Sequence, residues 1–422
     1  METDGLHIGM MEVWGGEVPL VLSRADRARH LYIIGQTGVG KSTLLHSLVA
    51  QDMRAGEGLA LIDPHGDWAW DVCASVPRSR IDDVVVIDPS DHGHAVAFNP
   101  FYRVPLDLRP QVAGNIIASF RGVWADTWGA RLEYILRNTV RLVLDAPDEL
   151  RPTFLSIPRV LVERGYRQKL LQHVTDYRVK SFFEDEFDTW NDRQVAESLS
   201  SVQNKIGAVV GNPFIRNIIG QWKPTVCIDA LIAERKILIV RLPKGTLGAE
   251  EGNLLGSMIV SGILQSAMAR AEKAERPPFH LYIDEFQGFT TNDFATILSE
   301  ARKYALTLTT SNQFISQLSE PIAKAVFGNV GNIIAFRVGA EDADRLSHEF
   351  GELQPHQFRD LARGSIIARM MREGAVLSPQ RGRTIPFEAK AQHRERVLRK
   401  SRRAFGIPRE RIEENLGRWL RR

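Results

Sequence analysis

The chain has only two cysteines in 422 residues, Cys73 and Cys227, and they lie far apart. That excludes a disulfide-built secreted scaffold and a cysteine zinc site, and it reads as a protein of a reducing cytoplasm. No uninterrupted apolar run approaches the ~18 residues that a membrane span requires. Met1 to Leu20 carries acids where a signal peptide needs a basic end and an apolar block, so neither a leader nor an intrinsic membrane span is expected. One-signed charge is scarce as well: 54 Lys and Arg face 51 Asp and Glu, a net of +3. The excess sits at the end of the chain. Residues 391–422 hold eleven Lys or Arg and four Asp or Glu, a local +7 that leaves the remainder mildly acidic. Such a tail is either a nucleic-acid contact or a solvated helix face.

What the chain does have is a stretch around which the rest is arranged, His30 to Thr43, HLYIIGQTGVGKST. Leu31 to Ile34 reads as a buried parallel strand, and Ser42 to Met53 as a helix with Leu44, Leu45, Leu48, Val49 and Met53 at helical spacing. Between them stands Gly35-x4-Gly40-Lys41-Ser42, a phosphate-binding loop. The glycines let successive N–H groups of Gly35, Thr37, Gly38, Val39, Gly40, Lys41, Ser42 and Thr43 converge on phosphate oxygens at the positive end of the helix. Lys41 then reaches the β and γ phosphates, and the Ser42 hydroxyl enters an octahedral Mg²⁺ shell. ATP and Mg²⁺ are the expected ligands.

Further strands follow the loop. Leu59 to Ile62 closes with Asp63-Pro64-His65-Gly66-Asp67, which is either a plain turn or part of the crevice, and Val84 to Ile87 closes with Asp88-Pro89. Leu108 to Trp222 changes to long helical periods, such as Ala130 to Leu144 and Arg193 to Val210. Strands return at Ile237 to Leu242. Leu281-Tyr282-Ile283 then delivers Asp284 and Glu285, one to hold Mg²⁺ and one to orient the attacking water. Leu306 to Thr309 ends in Thr310-Ser311-Asn312-Gln313, where Gln313 is either a γ-phosphate sensor or a helix cap. Ile333 to Phe336 ends in Arg337, which is either an arginine finger for an adjacent copy or an ion-pair partner of Asp342 or Asp344. The catalytic set expected is Lys41, Glu285, Gln313 and Arg337; Ser42 and Asp284 form the metal set.

Taken together, HLYIIGQTGVGKSTLL, LIDPHGD, VAFNP, ILIVRLPKG, LYIDEF, TSNQFISQL and FRVGAEDADRL make the chain resemble the HerA and FtsK superfamily of DNA-pumping ATPases. It is most similar to the soluble motor portion of conjugative type IV coupling proteins. The resemblance implies an α/β, RecA-like P-loop NTPase core with a twisted, mostly parallel sheet and an inserted all-helical subdomain. It also implies a homo-hexameric ring threading DNA, with a relaxase, nuclease or secretion-system protein as partner. The expected divisions are a β-hairpin lead-in over 1–29, the core over 30–107 and 223–385, the helical insert over 108–222 and a basic helical tail over 386–422. Transmembrane helices ahead of the loop, found in membrane-anchored coupling proteins, and the amino-terminal barrel of HerA-type proteins have no counterpart in Met1 to Arg29. Two rival functions stand beside DNA translocation: a motor acting on protein substrates, and a nucleotide-gated switch that barely hydrolyses.

Overall fold

The computed structural model describes residues 5–291, 294–351, 353–385 and 392–421. The opening residues of the expected tail, 386–391, therefore lie outside the described residues. The chain forms two compact units: Met1–Val86 with Ile228–Arg241 and Ile263–Ser401, and Ile87–Cys227 with Leu242–Gly262 and Arg402–Arg422.

The first unit is built on one sheet whose strands, in chain order, are β1 (Gly5–Val13), β2 (Gly16–Ser23), β3 (Leu31–Ile34), β4 (Gly58–Asp63), β5 (Val84–Ile87), β6 (Ile237–Arg241), β7 (Phe279–Ile283), β8 (Leu306–Asn312), β9 (Asn332–Ala335), β10 (Ser365–Arg369) and β11 (Gln380–Thr384). Their spatial order is β2-β1-β11-β10-β9-β3-β8-β7-β4-β6-β5. The run β9-β3-β8-β7-β4-β6 is parallel throughout. The flank from β9 through β10 and β11 to β1 and β2 is antiparallel. Every residue of β3, β4, β7 and β8 is buried, which accounts for the unbroken apolar run of β3: a parallel strand covered on both faces has no solvent side on which to alternate, whereas β8, LTLTTSN, also buries hydroxyls and an amide.

The helix after the phosphate loop runs Lys41–Ala55 and stops at Gly56, whose φ of 78° lets its N–H return to the Asp52 and Met53 carbonyls. The face formed by Leu44, Leu45, Leu48, Val49 and Met53 packs into the same core cluster as Leu31, Ile33, Leu59 and Leu61. Arg27 and Asp52, both within this unit, are buried as a bidentate pair at 2.6 and 2.5 Å, with Tyr282 bonded to each.

The second unit is mainly helical, with helices Arg109–Val123, Ala130–Leu144 and Asp192–Gly211. Periodicity placed the latter two to within a residue. A short strand, His94–Val96, pairs antiparallel with Gly406–Pro408. Among the described residues no helix is long and apolar enough to cross a membrane.

Candidate nucleotide site

The loop leaves the carboxyl end of β3, which stands between β9 and β8 in the parallel run. Gly35 must be glycine, because a Cβ there would stand 2.6 Å from the Phe336 Cβ. Gly38 and Gly40 have φ of 78° and 122°, which side chains rarely adopt. Two neighbours brace the bend: Gln36 N–H donates to the Arg337 carbonyl at 2.9 Å, and Gly364 N–H donates to the Val39 carbonyl at 2.9 Å. The result is a fixed cradle opening onto the first turn of the helix. Ser42 and Thr43 are exposed there, as are Thr37 and Gly38. No acid occupies that first turn, so nothing in it repels an anion.

Lys41 is 7% exposed and folds back on its own loop, donating to the Gly35 carbonyl at 2.6 Å and the Gln36 carbonyl at 3.1 Å. Burial lowers its pKa, while Glu285 and Asp284 pull the other way, which puts both acids in the electrostatic reach of the ammonium.

Strand β7 ends where those acids begin. Asp284 is 5% exposed and accepts a hydrogen bond from the Ser311 hydroxyl of β8. Burial raises its pKa, and the charges of Glu285 and Asp63 add to the rise against the Ser311 bond and Lys41. Glu285 follows in the left-handed region, φ 48°. Its Oε1 accepts from Gln313 Nε2 at 3.0 Å and its Oε2 from Gln287 Nε2 at 2.7 Å. Gln313 Oε1 in turn accepts from the Thr37 hydroxyl at 2.8 Å. The phosphate loop, the end of β8 and the acid after β7 are thus joined side chain to side chain.

Gln313 does not serve as a helix cap. That work falls to Gln317, whose Oε1 takes the Gln313 and Phe314 N–H groups, while Asn312 is fully buried against the Tyr32 hydroxyl. Asp63 is an interior turn acid: its oxygens accept the His65 and Ala69 N–H groups at 2.9 and 2.8 Å, and His65 stays exposed. Arg337 is exposed, and among the described residues neither Asp342 nor Asp344 pairs with its guanidinium. Its backbone lies beside the loop of its own chain, where its carbonyl accepts the Gln36 N–H. Gln287 was not anticipated; a polar residue two places past an acid carries no spacing signal of its own.

A central parallel strand that breaks through glycines into a lysine-started helix, with a buried acid at the end of a strand two places away, defines the RecA-like P-loop fold. Residues 6–114 match the family model described as the central domain of helicase HerA, and residues 278–375 match that described as the TraM recognition site of TraD and TraG. In fold, the chain is similar to the plasmid coupling protein TrwB in complex with ADP and Mg²⁺, at 14% identity and a TM-score of 0.65 over 92% of this chain and 91% of that one. It is also similar to TrwB with a non-hydrolysable ATP analogue, at 14% identity and 0.64 over 89% of each. VirB4 of Thermoanaerobacter pseudethanolicus gives 16% identity and 0.59 over 92% of this chain and 98% of that one. No curated protein matches the sequence. The chain therefore resembles the type IV coupling ATPases of the HerA and FtsK superfamily, in sequence over two regions and in fold over nearly its whole length.

Proposed function

We propose that the chain is an ATP-hydrolysing motor that translocates DNA as a ring of six copies. The observation that carries the reading is the hydrogen-bonded set Thr37, Gln313 and Glu285, through which the acid's position depends on the phosphate loop. A switch that only binds nucleotide needs the loop but gains little from a held carboxylate.

In this reading Lys41 exchanges the Gly35 and Gln36 carbonyls for the β and γ phosphate oxygens, and the loop N–H groups from Gly35 to Thr43 hold the rest of the chain of phosphates. Ser42 and Asp284 hold Mg²⁺, a hard cation that the hydroxyl, carboxylate and phosphate oxygens suit; when bound, it offsets charge on the phosphates. Asp284, whose burial favours the neutral acid, would be ionised when it holds the cation. Glu285 orients the attacking water and accepts its proton. Gln313 senses the γ-phosphate through its place between Thr37 and Glu285.

Arg337 serves as the finger for the nucleotide of an adjacent copy: its guanidinium is exposed and unpaired among the described residues, while only its backbone is engaged with its own loop. The six-copy ring rests also on the family resemblance. DNA as cargo, and a relaxase, nuclease or secretion-system protein as partner, rest on the same resemblance.

The test is ATP turnover without polymer, with single strands, with duplex and with a protein control, at low and high salt, alongside the mass of the assembly with ATP. Stimulation by DNA that fades with salt, in a six-copy assembly, is expected. Turnover indifferent to DNA at low salt, or stimulated by the protein control instead, contradicts the proposal.

A further inference from the structure

A cavity of about 300 Å³ opens in the first unit at the amino-terminal edge of β7 and β8, the opposite ends of these strands from Asp284 and Gln313. Its polar wall is fixed in place. Arg27, 5% exposed, is gripped by both Asp52 oxygens and donates to the Tyr282 hydroxyl at 2.7 Å. His280, also 5% exposed, bonds the Thr307 hydroxyl through Nδ1 at 2.7 Å. Glu57 accepts from Arg24 at 3.0 Å. Both acids of the wall are therefore paired with arginines, Asp52 through both oxygens and Glu57 through Oε1 alone.

Besides Arg27 Nε and Glu57 Oε2, which are buried without a partner among the described residues, two groups are not committed. The exposed guanidinium of Arg302 and Nε2 of His280 have no partner among the described residues. Burial pushes the His280 pKa down to about 3, so near neutral pH it offers a hydrogen bond and no charge. Apart from Gln51, whose amide bonds the His7 backbone, the rest of the wall, including Leu6, Ala28, Ala55 and Pro278, is apolar. One free planar cation, one neutral imidazole nitrogen and an apolar floor, in a volume of small-molecule size, define the ligand by complement.

We propose that this cavity is a second ligand site, separate from the phosphate loop, that takes a small molecule with an apolar body and a single oxyanion head, a phosphomonoester or a carboxylate. Arg302 grips the head and His280 Nε2 donates to it or to a neighbouring oxygen. The site touches the far ends of three elements that build the nucleotide site: the loop helix at Gln51, Asp52 and Ala55, β7 at His280, and β8 at Thr307. A ligand there bears on the loop, the acid and the sensor from behind.

The test titrates phenyl phosphate, benzoate, inorganic phosphate and benzyl alcohol by calorimetry into the full chain already saturated with ADP and Mg²⁺. Saturation is measured first, so a failure to bind ADP tells against the nucleotide site and not against this one; the titrations are then run without it. Binding of phenyl phosphate or benzoate, weakened at least tenfold by Arg302→Gln and exceeding that of inorganic phosphate and benzyl alcohol, is expected, and the tighter of the two names the head group. Arg302 is exposed, so its replacement leaves the fold in place. No binding of either oxyanion, binding indifferent to Arg302→Gln, or equal binding of inorganic phosphate overturns the proposal.

Discussion

Replacing Gln313 by alanine removes two bonds at once, the 3.0 Å bond to Glu285 and the 2.8 Å bond from Thr37. A hydrogen bond to a charged acceptor contributes about 1.5–3 kcal/mol. At about 1.4 kcal/mol per decade of rate, losing the Glu285 bond in the transition state lowers kcat by roughly 10- to 150-fold. The loss stays short of that from removing the carboxylate, because Gln287 still holds the other oxygen at 2.7 Å. KM for ATP should move by no more than about twofold, since the loop contacts of Lys41 are untouched. Gln313 is only partly buried and belongs to no apolar cluster, so the thermal midpoint should move little. Steady-state phosphate release and nucleotide affinity, measured on the same preparation, decide the matter. A kcat within twofold of the parent, or a fall matched by an equal loss of affinity, would refute the idea that Gln313 places the acid. Combining Gln313→Ala with Gln287→Ala should be non-additive, because both act on one carboxylate.

Asp284→Asn should raise the thermal midpoint of the nucleotide-free chain, because it removes a charge that burial disfavours while keeping an acceptor for Ser311, and it should abolish Mg²⁺-dependent turnover. Asp52→Ala leaves the Arg27 guanidinium buried without its counter-ion, and should cost about 3–5 kcal/mol in denaturant unfolding. His30 and His280 are buried neutral, with pKa values pushed down to about 4 and about 3 by burial. The unfolded chain binds protons below about 6.5 that the folded chain refuses, so stability should fall as pH drops from about 6 toward 4.5, by up to about 3 kcal/mol per pH unit from the pair. Mixing Arg337→Ala with Lys41→Ala chains should restore turnover well above what dilution allows, because Arg337 serves a neighbour's nucleotide; no such recovery would confine it to its own chain.

The sequence was most legible where local chemistry and burial agree. Apolar runs such as Leu31 to Ile34 and Leu59 to Ile62 announced central strands because both faces are covered, and the glycines at 35, 38 and 40 announced a bend that side chains rarely adopt. Gln380–Thr384 gave no such signal. As Gln-Arg-Gly-Arg-Thr it has no apolar face, and it is a strand because the backbones of β1 and β10 pair with it on either side. The same limit applies at the site. Asp284 and Glu285 could be read from their strand, whereas the bonds from Ser311, Gln287 and Gln313 depend on which strands stand side by side, a property of the sheet order and not of any one stretch. Arg337 shows a related limit: its residue type suggests a reach toward another copy, while the pairing of β9 with β3 sets its backbone, and not its exposed guanidinium, beside its own loop.

Single-turnover hydrolysis of ATP by the full chain and by its Glu285→Gln form puts the central claim to the most direct test. The account predicts that both bind Mg²⁺ and ATP with similar affinity and that the glutamine form hydrolyses about a hundredfold or more slowly, within the usual range for loss of a general base. Equal rates in the two, with nucleotide bound, would show that the acid held by Gln313 and Gln287 is not the group that activates water.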